Sequence, residues 1–117
     1  MLAGKLNLTI QQGATFRKRL VWRTSNNRPV NLTGYEAKLQ ARATATDPAV
    51  LFELSTRNGT IKLGGSNGAI ELLFSDEATA QLQFDRGVYD LFLYAPNGDA
   101  LRLLEGSVRL VRGVTKA

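Results

Sequence analysis

A chain of 117 residues with 44% hydrophobic and 21% charged residues has the size and balance of one globular domain, able to bury a core without covalent staples. It has no cysteine and no histidine, which excludes disulfides, thiolate metal sites and a cysteine nucleophile, and removes the commonest general base. The net charge is +5, from 15 basic and 10 acidic residues; only Arg17-Lys18-Arg19 forms a basic cluster, so the charge fits either a soluble surface or an acidic partner.

The first residues, Met1 to Gly13, alternate apolar with polar positions and contain no signal-peptide run. No stretch reaches the roughly 20 apolar residues of a membrane span, so the chain is expected in a cytoplasm, without membrane contact. Its three Asn-x-Thr triplets, at Asn7, Asn31 and Asn58, are then read as chance matches. Leu6 to Ile10 has the two-residue period of a half-buried strand. From Ala14 to Arg23, Phe16, Leu20 and Trp22 share one face and Arg17, Arg19 and Arg23 the other; Lys18 falls on the apolar face, at a rim.

Ser25 to Pro29 reads as a turn. The clearest strand runs from Tyr35 to Ala43, with Tyr35, Ala37, Leu39, Ala41 and Ala43 predicted to face inward. Phe52 and Leu54 mark a short strand closed by Asn58-Gly59, a tight-turn pair. Ile61 and Leu63 follow, then Gly64 to Gly68, where the glycines and Asn67 are expected to accept positive φ, then Ile70, Leu72 and Phe74. Ser75, Asp76 and Glu77 predict the start of a helix ending near Leu82. Val88 to Tyr94 is a strand, Ala95 to Asp99 a hairpin turn, and Ala100 to Val111 a long strand bent at Gly106. Residues 112–117 form a basic tail. Roughly seven to eight strands in one domain over residues 1–117 predict an all-β, immunoglobulin-like antiparallel β-sandwich with one short helix, a small barrel being the alternative.

No residue pattern supports catalysis, a cofactor or a metal. Asp76 and Glu77 sit where a helix start favours negative charge, and Asp85, Asp90 and Asp99 lack the spacing of a calcium loop. Gly64 to Gly68 lacks the ending of a phosphate loop. Arg17, Arg19 and Arg23 could contact phosphates, joined by Arg102 and Arg109 if their strand lies alongside. Against this, Phe16, Trp22, Tyr35, Phe52, Phe74 and Phe92 mostly fall on the apolar sides of their strands, where core rather than stacking on bases is the default. Protein–protein contact is the better use of the arginine face. The candidate interface is therefore Arg17, Arg19 and Arg23, with Lys5, Asn7 and Thr9 on the first strand and Arg109 and Arg112 at the end.

Several motifs carry a resemblance. They are Leu6 to Gly13 before an aromatic-led strand, Arg28 to Tyr35, Asn67 to Leu72 leading into the Ser75–Leu82 helix, Gly87 to Leu91, Asn97-Gly98-Asp99, and Leu104 to Val108. In this order they resemble the immunoglobulin-like N-terminal domains of upper-baseplate proteins in tailed bacteriophages. The resemblance implies a non-enzymatic virion structural protein of the tail, baseplate or neck, made in the host cytoplasm. Its partners would be other phage structural proteins, in repeated copies of a symmetric assembly. A capsid decoration or cement protein and a small basic nucleic-acid-binding domain are the alternatives.

Overall fold

The two-residue rhythm becomes nine strands in the computed structural model, which describes residues 4–116. In chain order they are β1 (Gly4–Lys5), β2 (Leu8–Gln11), β3 (Phe16–Val21), β4 (Glu36–Arg42), β5 (Phe52–Ser55), β6 (Ile61–Leu63), β7 (Ala69–Phe74), β8 (Arg86–Tyr94) and β9 (Ala100–Val111). Among the described residues one short α-helix, α1 (Asp76–Ala80), joins β7 to β8, and a 3-10 turn (Gly65–Asn67) lies between β6 and β7. Strands β5, β4, β8 and β9 lie side by side in one sheet, with β1 and β2 both paired to the far side of β9; β3, β7 and β6 make the other. The fold is an all-β, immunoglobulin-like sandwich. Its pairings are antiparallel except that β1 and β2 run parallel to β9.

Alternation explains the core. Leu39 on β4, Ile70 on β7, Leu91 and Leu93 on β8 and Val108 on β9 are completely buried. Each such side chain contributes roughly 1.5–3 kcal/mol relative to exposure. With no cysteine in the chain, no disulfide links the sheets, and this apolar contact holds them together.

Several sequence expectations are corrected in detail. The strand from Leu6 to Ile10 is split, because Leu6 and Asn7 turn over Gly106 between β1 and β2. The expected strand from Ala14 to Arg23 shortens to β3 because Trp22 bonds in two directions: its N–H reaches the Gly68 carbonyl and its carbonyl accepts from Val30. Ala43 lies past the end of β4 and is exposed. In the β6–β7 connection Gly65 and Gly68 have positive φ but Gly64 and Asn67 do not; the Asn67 side-chain oxygen instead accepts from the Ala69 N–H at 2.9 Å. Gly68 is required there, since a side chain would meet the Trp22 carbonyl at 2.6 Å.

The helix begins as its sequence dictates. The Ser75 hydroxyl accepts from the Ala78 N–H at 3.1 Å, with Asp76 and Glu77 in the first turn. Five residues are too few to hold a helix alone, and Thr79 anchors this one. Its buried hydroxyl donates to the Ala14 carbonyl at 2.8 Å and accepts from the Gly13 N–H at 3.0 Å. That fastens α1 to the β2–β3 connection.

Candidate functional site

The predicted interface residues do not form one surface. Arg17 and Arg19 lie on the outer face of the three-stranded sheet, beside Lys62, Glu71 and Leu73. Arg19 sits opposite Glu71 and makes an exposed ion pair with it at 3.6 Å. Arg23 is beyond the strand, where its guanidinium reaches the Asn27 carbonyl at 3.4 Å. Lys5, Thr9 and Arg109 belong to the other sheet: Lys5 is paired with Glu105, and Thr9 with Arg109. Asn7, between β1 and β2, accepts from the Ser107 N–H through its side-chain oxygen. Arg112 reaches Asp85 at 3.4 Å. Arg102 and Arg109 therefore do not extend the arginine face of β3, because β9 and β3 are in different sheets.

The larger sheet carries a second surface that the sequence did not single out. Along central strand β8, Tyr89, Leu91 and Leu93 are buried, so Val88, Asp90, Phe92 and Tyr94 point outward. Phe92, assigned to the core from its sequence, is instead half-buried on the outer face. It stacks with Tyr94 at a centroid distance of 6.2 Å and an interplanar angle of 21°. A polar row crosses this face. Glu53 accepts from Gln40 at 2.6 Å, Gln40 is opposite Asp90, and Asp90 is opposite Glu105. Arg102 ties Asp90 (3.4 Å) to Glu105 (3.2 Å). Between this row and the β4–β5 connection lies a shallow trough of about 680 Å³ lined by Lys5, Gln40, Arg42, Val88, Asp90 and Glu105.

One titratable group is strongly shifted: burial pushes the Tyr89 phenol up to about 12. Its hydroxyl donates to the Leu6 carbonyl, which is a structural use. Among the described residues no group of three or more Asp or Glu side chains converges to hold a metal ion, and no helix is long and apolar enough to cross a membrane.

No family model and no curated protein matches the chain. Solved structures do resemble it. The extracellular domain of the voltage-gated sodium channel beta4 subunit, described as a parallel homodimer in cell–cell adhesion, is 13% identical, with 97% of each chain covered and a TM-score of 0.47. A structure from work on multimeric cell-adhesive interactions of VGSC beta subunits is 17% identical, covering 95% of this chain and 93% of that one, with a TM-score of 0.45. Extracellular domains 3–5 of Drosophila OTK are 13% identical, covering 97% of this chain and 35% of that one, with a TM-score of 0.41. At such identities the likeness speaks to the fold alone.

These neighbours are extracellular immunoglobulin-like domains of eukaryotic proteins, not virion parts. The expected phage identity, virion location and phage partners find no support among these matches and are corrected, and the motifs that suggested them have a plainer origin. Asn31 accepts from both the N–H (3.0 Å) and the hydroxyl (2.7 Å) of Thr33, and Gly34 takes positive φ against Pro96. Asn97 accepts from the Asp99 N–H at 2.9 Å. Such local bonds are the turn chemistry of any sandwich, so they identify a fold rather than a particle. The same chemistry explains two Asn-x-Thr triplets: Asn58, like Asn31, bonds the Thr two residues on.

Proposed function

We propose that this chain is a non-catalytic protein-recognition module that self-associates through the outer face of its larger sheet. The observation that carries this reading is the Phe92–Tyr94 stack, turned outward on the sheet's central strand. An aromatic pair amid polar and charged neighbours has the make-up of an interface centre with its rim. Val88, 40% exposed, extends the apolar line along β8.

A second copy is the occupant that the charge pattern favours. Lys38 and Arg102 flank Phe92 on β4 and β9, while Glu36, Glu53, Asp90 and Glu105 lie within the same face. A two-fold interface brings a patch against itself, so both signs must be present in one patch for attraction. A uniformly basic or acidic face would repel its copy. Here the basic and acidic groups are interleaved around the aromatic centre.

Sedimentation velocity over a concentration series tests the reading. The wild-type chain should shift from monomer to dimer as concentration rises. Phe92→Ala with Tyr94→Ala should weaken the dimer by about thirtyfold, corresponding to about 2 kcal/mol for loss of an aromatic anchor, without altering the far-ultraviolet spectrum. A wild-type chain that stays monomeric throughout, or a variant that dimerises as well as wild type, overturns the proposal.

A further inference from the structure

An open sheet exposes unpaired backbone groups at its edges, and proteins blunt such edges with charge, brevity or side-chain caps. Three of the four edges here are treated that way. Strand β3 carries Arg17, Lys18 and Arg19 in a row, and β6 is only three residues long. At the end of β5 the Ser55 N–H is taken by Asn58 (3.3 Å) and Thr60 (2.9 Å).

Strand β2 is different. Its residues, Leu8-Thr9-Ile10-Gln11, include no charge and no proline. On either side of it, the Leu6 N–H donates to Glu105 (3.0 Å) and the Gln12 N–H to Val111 (2.8 Å), both toward β9. Backbone bonding alternates along a strand, so the N–H and C=O of Thr9 and the N–H of Gln11 point away from β9, while the Gln11 carbonyl accepts from the Ala14 N–H at 3.1 Å. Along this free edge runs a groove of about 530 Å³ whose opposite wall includes Thr15, Phe16, Arg17 and Lys18. No acidic residue lines it. Among the described residues neither Arg17 nor Lys18 has an ion-pair partner.

We infer that this groove receives an extended acidic segment of a partner protein, which adds as a strand to β2 and sets its carboxylates against Arg17 and Lys18. Backbone pairing would supply the docking, as in other strand additions, and the basic wall would select the charge. The site is on a different surface from the Phe92–Tyr94 face and does not depend on self-association.

Fluorescence anisotropy with the full chain and a labelled peptide of alternating Val and Glu is the test. Binding should be saturable. It should weaken by at least about tenfold, a clear change in dissociation constant, when Lys replaces Glu in the peptide, when the peptide backbone is N-methylated at alternate residues, or in the double variant Arg17→Glu, Lys18→Glu. Thr9→Pro removes the outward N–H, a change tolerated on an edge strand, and should also abolish binding while leaving the melting temperature near wild type. If that variant fails to fold, the N-methylated peptide still decides whether backbone pairing is used. No binding of the Val-Glu peptide, indifference to N-methylation, or tighter binding of a single-stranded oligonucleotide than of the peptide each overturns the inference.

Discussion

The hydroxyl of Tyr89 on β8 donates across β9 to the backbone carbonyl of Leu6, tying the amino-terminal segment to the middle of the larger sheet. Gly106 makes the bond feasible. It lies opposite Tyr89 in the β8–β9 register, and any side chain there would collide with the Leu6 carbonyl. The same crossing interrupts the first strand, so β1 and β2 are two pieces pinned at one point.

Tyr89→Phe should therefore cost more than removing a surface hydroxyl. The ring stays in the core, but the Leu6 carbonyl loses its phenolic partner, a deficit of about 1–3 kcal/mol. Urea denaturation should show a lower midpoint with an unchanged slope, since the surface exposed on unfolding is the same. Gly106→Ala should cost more, because it displaces the Leu6–Asn7 crossing and with it the Ser107–Asn7 bond. A Tyr89→Phe midpoint equal to wild type would show that the bond adds nothing to stability.

The same phenol predicts an alkaline limit. Burial raises its pKa from 10.0 to about 12, so the folded state favours the protonated form more than the unfolded chain does. That contribution is complete below about pH 10 and is lost as pH climbs to about 12. The informative quantity is the difference between wild type and Tyr89→Phe. The stability gap between them should narrow across this window. A gap that stays constant or widens would contradict the assignment.

How far the sequence spoke depended on whether a strand was patterned. On β4 the alternation of Ala37, Leu39 and Ala41 with Glu36, Lys38 and Gln40 left one choice of face, and those three are buried. On β8, Val88-Tyr89-Asp90-Leu91-Phe92-Leu93-Tyr94 is apolar at nearly every position, so period alone could not say which side meets the core. The register decides it: Leu91 pairs with Leu39 on one side and Leu104 on the other, which sends Phe92 outward. The arginines were visible as charge, but sheet membership was not. A charge cluster becomes a guarded edge, a groove wall or a patch only once strand order is known, and that order comes from contacts distant in sequence. The hydroxyl of Thr79 was equally silent, since its partners Gly13 and Ala14 are more than 60 residues away.

Thr79→Val should consequently damage a region larger than the helix. Valine nearly matches the shape of threonine but leaves the Gly13 N–H and Ala14 carbonyl without their buried partner. The expected loss is about 1–3 kcal/mol. Hydrogen exchange should show faster exchange at Gly13 and in α1 together, because one side chain fastens both. Thr79→Ser should restore most of the protection by keeping the hydroxyl. Slow exchange retained at both sites in Thr79→Val would show that the two segments are held by apolar packing instead.

Lys18 gives the opposite expectation, a substitution that leaves the monomer intact and spoils its solubility. It stands opposite buried Leu72 in the β3–β7 register, so its stem lies on the core side of an edge strand while its ammonium remains exposed. An inward-directed charge on an edge deters another strand from docking, because docking would bury it. Lys18→Ile removes that penalty and adds an apolar β-branched residue suited to pairing. The variant should melt at or above the wild-type temperature at low concentration, yet scatter light and elute as species larger than the wild-type dimer when concentrated. Lys18→Arg should behave as wild type, because charge rather than residue identity is the deterrent. A Lys18→Ile variant that forms nothing larger than wild type does at high concentration would mean that Arg17 and Arg19 suffice to guard the edge.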